Sequence, residues 1–194
     1  MIIPTTICII RHGETDWNAS GRLQGCEDIE LNDAGREQAH KLAHYLGREP
    51  WDVIVSSPLK RAYETACIIA SNISLQDIQV IDEFKERNYG LASGLLPEER
   101  RSRFPDGTIP GQEEFEHLRI RAMDSLTRIA TDHAGKRIIV VSHGALTNSI
   151  LYTLSGGEFG SFKTRLKNGC LNKILHQNNT WSVEFYNKTV EELF

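Results

Sequence analysis

Two histidines stand close behind apolar segments of the chain, and each is followed by glycine. His12 comes after the apolar run 7–10, and His143 comes after the run 138–141. An imidazole has an ordinary pKa of about 6.5, so at neutral pH it is largely uncharged and can attack an electrophile without a separate strong base. The two positions are therefore candidates for reactive groups of an enzyme.

Two arginines are expected to lie close to these histidines in the folded protein. Arg11 directly precedes His12, and Arg61 lies in the first turn of a helix that follows the cluster Ser-Ser-Pro at 56–58. A planar guanidinium group binds two oxygens of a phosphate or carboxylate at once. In open α/β sheets, ligands bind beyond the carboxyl ends of the strands, where helix amino termini favour anions. If the three segments are parallel strands, the sequence predicts an anion site at one sheet edge.

Apolar β-branched runs alternate with segments of helical periodicity, and this alternation is typical of an α/β fold. We expect a three-layer sandwich with a mostly parallel central sheet, helices on both faces and a C-terminal hairpin. The predicted strands are 6–10, 51–55, 78–81 and 137–141, followed by hairpin strands 170–175 and 181–186 with a turn near 178–179. The predicted helices are one from Asn32 to Gly47, one beginning at Pro58, one containing 115–129, and one over 144–154.

The stretch 83–111 is less regular than the rest of the chain. Its glycines and prolines predict loops and short helices that cover the active site. A polar loop is expected between the first strand and Asn32. The absence of repeats and of a linker predicts one domain over residues 1–194.

Composition limits the classes of function. The chain has 194 residues, 22 basic and 26 acidic residues, and a net charge of −4, which does not favour bulk binding of nucleic acid. Its longest aliphatic runs have four residues, whereas a membrane span needs about 20, so no membrane span is expected. Four cysteines without a CxxC pair, and no signal-like amino terminus, predict free thiols and a cytoplasmic location. The oligomeric state stays open.

Several blocks of sequence, in the same order, resemble the histidine phosphatase superfamily, the phosphoglycerate mutase-like enzymes. The first block is Arg-His-Gly-Glu-Thr-Asp-Trp-Asn at 11–18, and the others are 23–25, 31–35, 56–62, 86–90 and 141–144. The blocks span nearly the whole chain. Within the superfamily, the chain is most similar to the small bacterial phosphatases of broad specificity.

This resemblance implies a role for each matching residue. His12 would be the nucleophile that becomes phosphorylated, and Glu86 would donate a proton to the leaving oxygen. Arg11, Arg61 and a protonated His143 would surround the phosphoryl group and supply the positive charge that magnesium supplies elsewhere. The remaining implied substrate-binding residues are Asn18, Gln24, Gly25, Arg87, Tyr89 and Gly144. No metal and no cofactor is implied, and Glu14 and Glu83 are rival carboxylates for the role of Glu86.

The resemblance leaves the outcome of the reaction open. Only 53 positions separate Gly90 from His143, which is shorter than in the mutases, and Ala145 stands where mutases typically have asparagine. Arg87 and Tyr89, in contrast, match the mutase form. We expect a phosphatase for a small phosphorylated metabolite such as a phosphorylated glycerate, serine or similar acid. The alternative is a cofactor-dependent phosphoglycerate mutase, and a non-catalytic sensor of a phosphorylated ligand is less favoured because the reactive set is complete.

Other charged residues are weaker candidates. His40 and His44 have the spacing of a helical metal site, but Lys41 replaces the glutamate of the zinc motif, so no metal is predicted. The arginine-rich run 98–103 is typical of a solvated helix face, although one of its arginines is a candidate for a second anionic group of the substrate. We place the specificity-determining side chains between Arg87 and Gln112 and in the stretch 163–167.

Overall fold

The computed structural model describes residues 3–193, in which six strands form one sheet. The strands are β1 Thr5–Arg11, β2 Val53–Ser56, β3 Ile78–Val80, β4 Arg137–Ser142, β5 Leu171–Gln177 and β6 Thr180–Lys188. Their order across the sheet is β3-β2-β4-β1-β5-β6. The first four strands run parallel, and the last two form an antiparallel hairpin beside β1. The predicted mostly parallel sheet with a C-terminal hairpin is confirmed.

Helices cover both faces of this sheet. They are α1 Asp16–Ala19, α2 Asp33–Leu46, α3 Lys60–Asn72, α4 Pro97–Arg103, α5 Phe115–Asp132 and α6 Gly144–Leu154. In β1, Ile7 and Ile9 pack with the helices α5 and α6, whereas Cys8 and Ile10 pack with α2 and α3. A strand that is buried on both faces is apolar at consecutive positions, which explains the apolar runs in the sequence. The predicted three-layer arrangement is confirmed.

The hairpin between β5 and β6 turns at two asparagines. Asn178 and Asn179 have φ values of +50° and +56°. Two successive left-handed residues are typical of the type I′ turn, whose twist matches that of the flanking strands, and asparagine tolerates this conformation. The turn therefore lies where the sequence predicts it, although both strands extend further than expected.

Two local predictions differ from the structure. Helix α3 does not begin at Pro58: Leu59 is the extended N-cap residue, and its carbonyl accepts from the N–H groups of Ala62 and Tyr63. The proline thus precedes the cap instead of occupying the first helical turn. The polar loop after β1 contains the one-turn helix α1, because Thr15 and Asn18 form a reciprocal capping box at its start.

The irregular stretch after β3 consists of short helices and loops, as predicted. It contains the 3₁₀ turns Asp82–Phe84 and Gly90–Ala92 as well as α4. Backbone hydrogen bonds join it to the loop after α1, because Leu23 N–H donates to the carbonyl of Leu95 and Gly94 N–H donates to that of Leu23. These bonds hold the stretch next to the carboxyl ends of the strands.

Two further features concern membranes and thiols. Within residues 3–193, no helix combines the length and the apolar character that a membrane crossing requires. All four cysteines are free thiols.

Two glycines set the distance between α2 and the loop after β1. A Cβ atom on Gly35 would lie 2.1 Å from the carbonyl oxygen of Glu14, and one on Gly13 would lie 2.4 Å from the carbonyl oxygen of Gly35. Both distances are far below van der Waals contact, and the atoms are backbone atoms that cannot rotate away. The helix therefore fixes the backbone directly after His12.

We predict that Gly35→Ala lowers the free energy of unfolding by about 1–3 kcal/mol, because the added methyl group forces α2 and the loop apart. Urea denaturation measures this change. Gly47→Ala is the matched control: Gly47 ends the same helix with a φ of −65°, and its Cβ would meet no backbone atom closer than 3.3 Å. Equal stabilities of the two variants would contradict the prediction.

Candidate active site

The ends of three neighbouring strands bring the two histidines together. Arg11 at the end of β1 pairs in register with Ser142 at the end of β4, so the residues that follow, His12 and His143, emerge side by side. Their ring centroids are 5.2 Å apart. The end of β2 adjoins β4 and leads to α3, which carries Arg61. The parallel strands thus form the edge that the sequence predicts.

Hydrogen bonds define the tautomer of His12. Its Nδ1 lies 2.6 Å from the carbonyl oxygen of Gly13, and its Nε2 lies 3.2 Å from Nε of Arg61. A carbonyl oxygen only accepts and a guanidinium group only donates. The geometry therefore assigns the proton to Nδ1 and a lone pair to Nε2, which makes Nε2 the nucleophilic atom.

Backbone carbonyl groups hold the two arginines of the site. Arg61 is 1% exposed and donates to the carbonyl oxygens of Glu27 at 2.6 Å and Gly25 at 2.7 Å. Arg11 donates to the carbonyl oxygen of Leu166 at 2.5 Å. No carboxylate of residues 3–193 forms an ion pair with either guanidinium group. Burial lowers the pKa of Arg61 to about 10, so its positive charge persists at neutral pH and faces the site.

The two ring nitrogens of His143 have different surroundings. Its Nε2 lies 2.7 Å from Oγ of Ser57, and its Nδ1 is buried with no partner among the described residues. Burial, followed by the positive charge of Arg61, lowers the pKa of His143 well below its ordinary value, and the same two causes lower the pKa of His12. The neighbouring arginines thus disfavour a further positive charge in the site without a bound phosphoryl group, and the protonated His143 that the resemblance implies stays a prediction.

Glu86 lies at the amino terminus of α6, directly beside His143. Its carboxylate accepts from the backbone N–H groups of Ala145 and Leu146, each at 3.0 Å, and from that of Arg87 at 2.9 Å. The amino end of a helix attracts a carboxylate through its free N–H groups and its dipole. This contact fixes the side chain of Glu86 on the wall of the site.

The two rival carboxylates lie elsewhere. Glu14 accepts from Nδ2 of Asn32 at 3.0 Å, and Glu83 lies 3.7 Å from the guanidinium group of Arg128. Within residues 3–193, Glu86 is the only carboxylate that lines the cavity at the strand ends.

That cavity has a volume of about 370 Å³ and contains most of the sequence-predicted residues. Those lining it are Arg11, His12, Asn18, Gln24, Gly25, Arg61, Glu86, Tyr89 and Gly144. Two predicted residues are not among them: His143 is fully buried next to His12, and Arg87 turns away and donates to the carbonyl oxygen of Glu113 at 2.9 Å. It lines a neighbouring groove together with Arg100 and Arg101, and Tyr89 separates this groove from the cavity. Of the arginine-rich run 98–103, Arg100 and Arg101 therefore line this groove and not the cavity.

The loop between α6 and β5 contributes Asn168, which the sequence analysis did not single out, as well as part of the predicted stretch 163–167. Nδ2 of Asn168 donates to the carbonyl oxygen of His12 at 3.2 Å and to Oδ1 of Asn18 at 3.0 Å. Within the predicted specificity stretch 163–167, the residues that line the cavity are Thr164, Arg165 and Leu166. No motif or periodicity marks this loop, so only its position after the second histidine hinted at a role.

Two of the weaker candidates lie away from the cavity. The stretch 163–167 begins and ends with lysines that point elsewhere: Lys163 donates to the carbonyl oxygen of Gly157 and Lys167 pairs with Glu192. His40 and His44 lie on the exposed face of α2.

Comparisons with known proteins agree with this geometry. A model of the histidine phosphatase superfamily (branch 1) matches residues 7–189. A protein of Bacillus subtilis named uncharacterized phosphatase PhoE is 42% identical over 183 residues, which are 94% of this chain and 94% of that protein. A metal-independent phosphoserine phosphatase of Arabidopsis thaliana is 35% identical over 93% of this chain and 80% of its own length. The crystal structure of a phosphoserine phosphatase from Entamoeba histolytica in complex with 3-phosphoglyceric acid has a TM-score of 0.84 and 29% identity, covering 97% of this chain and 99% of that one.

The lowered pKa values of His12 and His143 predict a pH-dependent stability. Between pH 6.5 and the lower folded pKa, the unfolded chain binds protons that the folded chain excludes, so the free energy of unfolding falls as the pH falls. Each histidine contributes up to about 1.4 kcal/mol per pH unit in this range. Urea denaturation between pH 5.5 and 7.5 measures the slope, which we expect His143→Gln to reduce.

The matched control is His40→Gln, which removes a histidine from the exposed face of α2, away from the buried pair. NMR titration of the imidazole C–H signals gives a direct readout in the folded protein. Midpoints near pH 6.5 for His12 and His143 would contradict the prediction.

Proposed function

The chain belongs to the histidine phosphatase superfamily, and we propose that it hydrolyses phosphomonoesters of small molecules through a phosphohistidine formed on His12. The observation that carries this proposal is the arrangement of the His12 ring. Its Nδ1–H is fixed on the carbonyl oxygen of Gly13, and its Nε2 lone pair faces the guanidinium group of Arg61. A buried nucleophile beside two arginines without carboxylate partners is suited to a phosphate dianion.

In the first step, Nε2 of His12 attacks the phosphorus atom and forms the N–P bond. The bond between phosphorus and the ester oxygen breaks, and the leaving oxygen takes a proton from the carboxyl group of Glu86. Arg11 and Arg61 stabilise the negative charge on the three phosphoryl oxygens, and the Nδ1–H···O bond to Gly13 stabilises the charge that develops on the ring. The products of this step are the free alcohol and phosphohistidine.

In the second step, a water molecule attacks the phosphohistidine. The carboxylate of Glu86 takes a proton from the water, the N–P bond breaks, and its electron pair returns to Nε2 of His12. The products are inorganic phosphate and the enzyme with Glu86 protonated again. A single carboxyl group serves both steps because the leaving alcohol and the attacking water occupy the same side of the phosphorus atom.

We also propose that the reaction needs no metal ion. Arg11 and Arg61 carry the positive charge that a magnesium ion supplies in other phosphoryl-transfer enzymes. The metal-independent phosphoserine phosphatase similar to this chain supports the proposal. The free thiols of the chain are compatible with the reducing cytoplasm, which we propose as its location.

Hydrolysis is favoured over mutase activity by two observations. The relative that is 42% identical over 94% of this chain is named a phosphatase, whereas relatives named as probable phosphoglycerate mutases are 29% and 34% identical over 90% of it. The cavity that holds His12 also has the exposed Arg165 in its wall, so water has a route to the phosphohistidine once the alcohol leaves. A mutase keeps this intermediate dry until the same substrate accepts the phosphoryl group again.

A phosphorylated enzyme intermediate is the first test. With ³²P-labelled p-nitrophenyl phosphate, excess chelator and a rapid acid-free quench, we expect label on the protein that is stable in base and labile in acid. His12→Ala should abolish the label and lower the turnover rate at least about 10³-fold, because the nucleophile is missing. His40→Ala, which removes an exposed histidine on α2, should match the wild type. Turnover without any trapped label would refute the covalent mechanism, and the absence of turnover would favour a non-catalytic sensor.

The fate of the phosphoryl group is the second test. With 3-phosphoglycerate as substrate, we expect free phosphate to accumulate and 2-phosphoglycerate to remain a minor product, because water reaches the phosphohistidine. ³¹P NMR follows the three species in one sample. Rapid isomer formation without release of phosphate would establish the mutase alternative instead.

A further inference from the structure

Arg121 of helix α5 binds the backbone of the segment that carries Glu86. Residues 85–88 belong to no helix and no strand, so regular secondary structure does not fix them. The Nη1 atom of Arg121 donates to the carbonyl oxygens of Glu83 at 2.5 Å and Lys85 at 2.9 Å. Its Nη2 atom donates to the carbonyl oxygen of Glu86 at 3.1 Å. One side chain thus binds three carbonyl groups within four residues, and one of them belongs to the proposed acid.

The carboxylate of Glu113 takes the two remaining donors of Arg121. Its Oε1 accepts from Nε at 2.6 Å, and its Oε2 accepts from Nη2 at 2.9 Å. A guanidinium group has five N–H donors in one plane. Three of them bind the carbonyl groups and two bind the carboxylate, so all five are used. The orientation of Arg121 relative to the segment is therefore fixed.

Further hydrogen bonds attach the same segment to its neighbours. The N–H group of Asn88 donates to Oε2 of Glu113 at 3.2 Å, and the N–H group of Glu113 donates to the carbonyl oxygen of Asn88 at 2.8 Å. On the other side, Oγ of Ser142 at the end of β4 donates to the carbonyl oxygen of Phe84 at 2.8 Å. The backbone around Glu86 is thus held between α5 and the end of the sheet.

Arg121 differs from the two arginines that face the phosphoryl group. The charges of Arg11 and Arg61 have no carboxylate partner within residues 3–193, whereas the charge of Arg121 is matched by that of Glu113. Arg121 is also not among the residues that line the catalytic cavity. Since it has no free donor and does not face the cavity, it is not suited to bind the substrate itself.

We propose that Arg121 is a positioning residue for the proton transfer by Glu86. Arg121 fixes the main chain of Glu86 from behind, while the amino end of α6 fixes the carboxylate on the wall of the cavity. A displacement of about 1 Å in a catalytic arrangement can cost about 100-fold in rate. This inference rests on the proposed phosphatase function and adds to it a residue that touches no reacting atom.

The experiment uses three esters with increasingly basic leaving oxygens: p-nitrophenyl, phenyl and benzyl phosphate. p-Nitrophenolate leaves as a stable anion and needs little help from an acid, whereas a benzyl alkoxide needs a proton. For Arg121→Met, we expect kcat/KM to fall about 10- to 100-fold for benzyl phosphate, less for phenyl phosphate, and at most about threefold for p-nitrophenyl phosphate. An equal loss for the three esters would indicate a merely structural role and would overturn the proposal.

Two properties of this readout separate the chemistry from folding. The value of kcat/KM covers the steps up to the release of the alcohol, so a slow hydrolysis of phosphohistidine does not change it. The ratio of kcat/KM between two esters is independent of the fraction of enzyme that is folded. A loss of stability in Arg121→Met therefore cannot imitate a loss that depends on the leaving group.

A double variant tests whether Arg121 acts through Glu86. Glu86→Gln alone should lower kcat/KM most for benzyl phosphate, because the acid is missing. Adding Arg121→Met to Glu86→Gln should leave the ratios between the esters unchanged, because no proton transfer remains to be positioned. If the double variant instead combines the losses of both single variants, Arg121 acts independently of Glu86 and the proposal is overturned. Arg121→Lys should retain part of the activity towards benzyl phosphate, since it keeps the charge with fewer donors.

Arg119→Met is the matched control. Arg119 lies on the same helix and forms a bidentate ion pair with Glu116 at the protein surface. Its replacement should keep the wild-type ratios between the three esters. If Arg119→Met shifts these ratios as much as Arg121→Met does, the effect belongs to the loss of any ion pair on α5 and the assignment of Arg121 is overturned.

Failure of this proposal is distinguishable from failure of the proposed function. Hydrolysis of p-nitrophenyl phosphate with label on His12 establishes the phosphatase and needs little proton donation. If that activity is present and neither Glu86→Gln nor Arg121→Met depends on the leaving group, the inference about Arg121 is wrong and the phosphatase stands. If no ester is hydrolysed and no label forms, the proposed function fails, and this inference fails with it.

Discussion

The buried guanidinium groups of Arg11 and Arg61 are the charges around which the active site is built. Burying a charge without an ionic partner is costly, and here backbone carbonyl dipoles supply the compensation. Those carbonyls belong to Gly25, Glu27 and Leu166, which lie on two loops far apart in sequence. The site is therefore left with an excess of positive charge that a phosphate dianion neutralises. The carbonyl groups of these two loops thus hold both guanidinium groups in position.

The same positive charge determines the state of the two histidines. Next to the arginines, and away from water, both rings are driven to their neutral forms. For His12, neutrality keeps the lone pair on Nε2 available for attack. For His143, neutrality means that it acts as a hydrogen-bonding group, while the arginines carry the charge. A bound phosphate dianion would add negative charge beside the arginines and so oppose the effect that lowers the pKa of both histidines.

The sequence predicted the fold and the centre of the site because both leave local signals. Strands buried on both faces are apolar at consecutive positions, and the reactive groups lie at strand ends next to glycine. The sequence could not predict the lowered pKa of His143, since that depends on burial and on the positive charge of Arg61 from helix α3. It also could not predict Asn168, which acts through hydrogen bonds to the backbone of His12 from a loop without periodicity. The start of α3 was predicted two residues too early, because the helix begins at Lys60 and its N-cap residue Leu59 makes no side-chain capping bond that a sequence motif would reveal.

The two ends of the cavity have different structural origins. The phosphoryl end is built at the carboxyl ends of β1 and β4 and at the amino end of α3, where the sheet fixes the backbone on all sides. The end that faces the leaving group is built from loops, with Tyr89 on one side and Arg165 on the other. Loops tolerate substitution better than a buried sheet edge does. The selection of the alcohol can therefore change through exposed side chains of these loops, provided that the carbonyl group of Leu166 keeps its bond to Arg11 and Asn168 keeps its bond to His12.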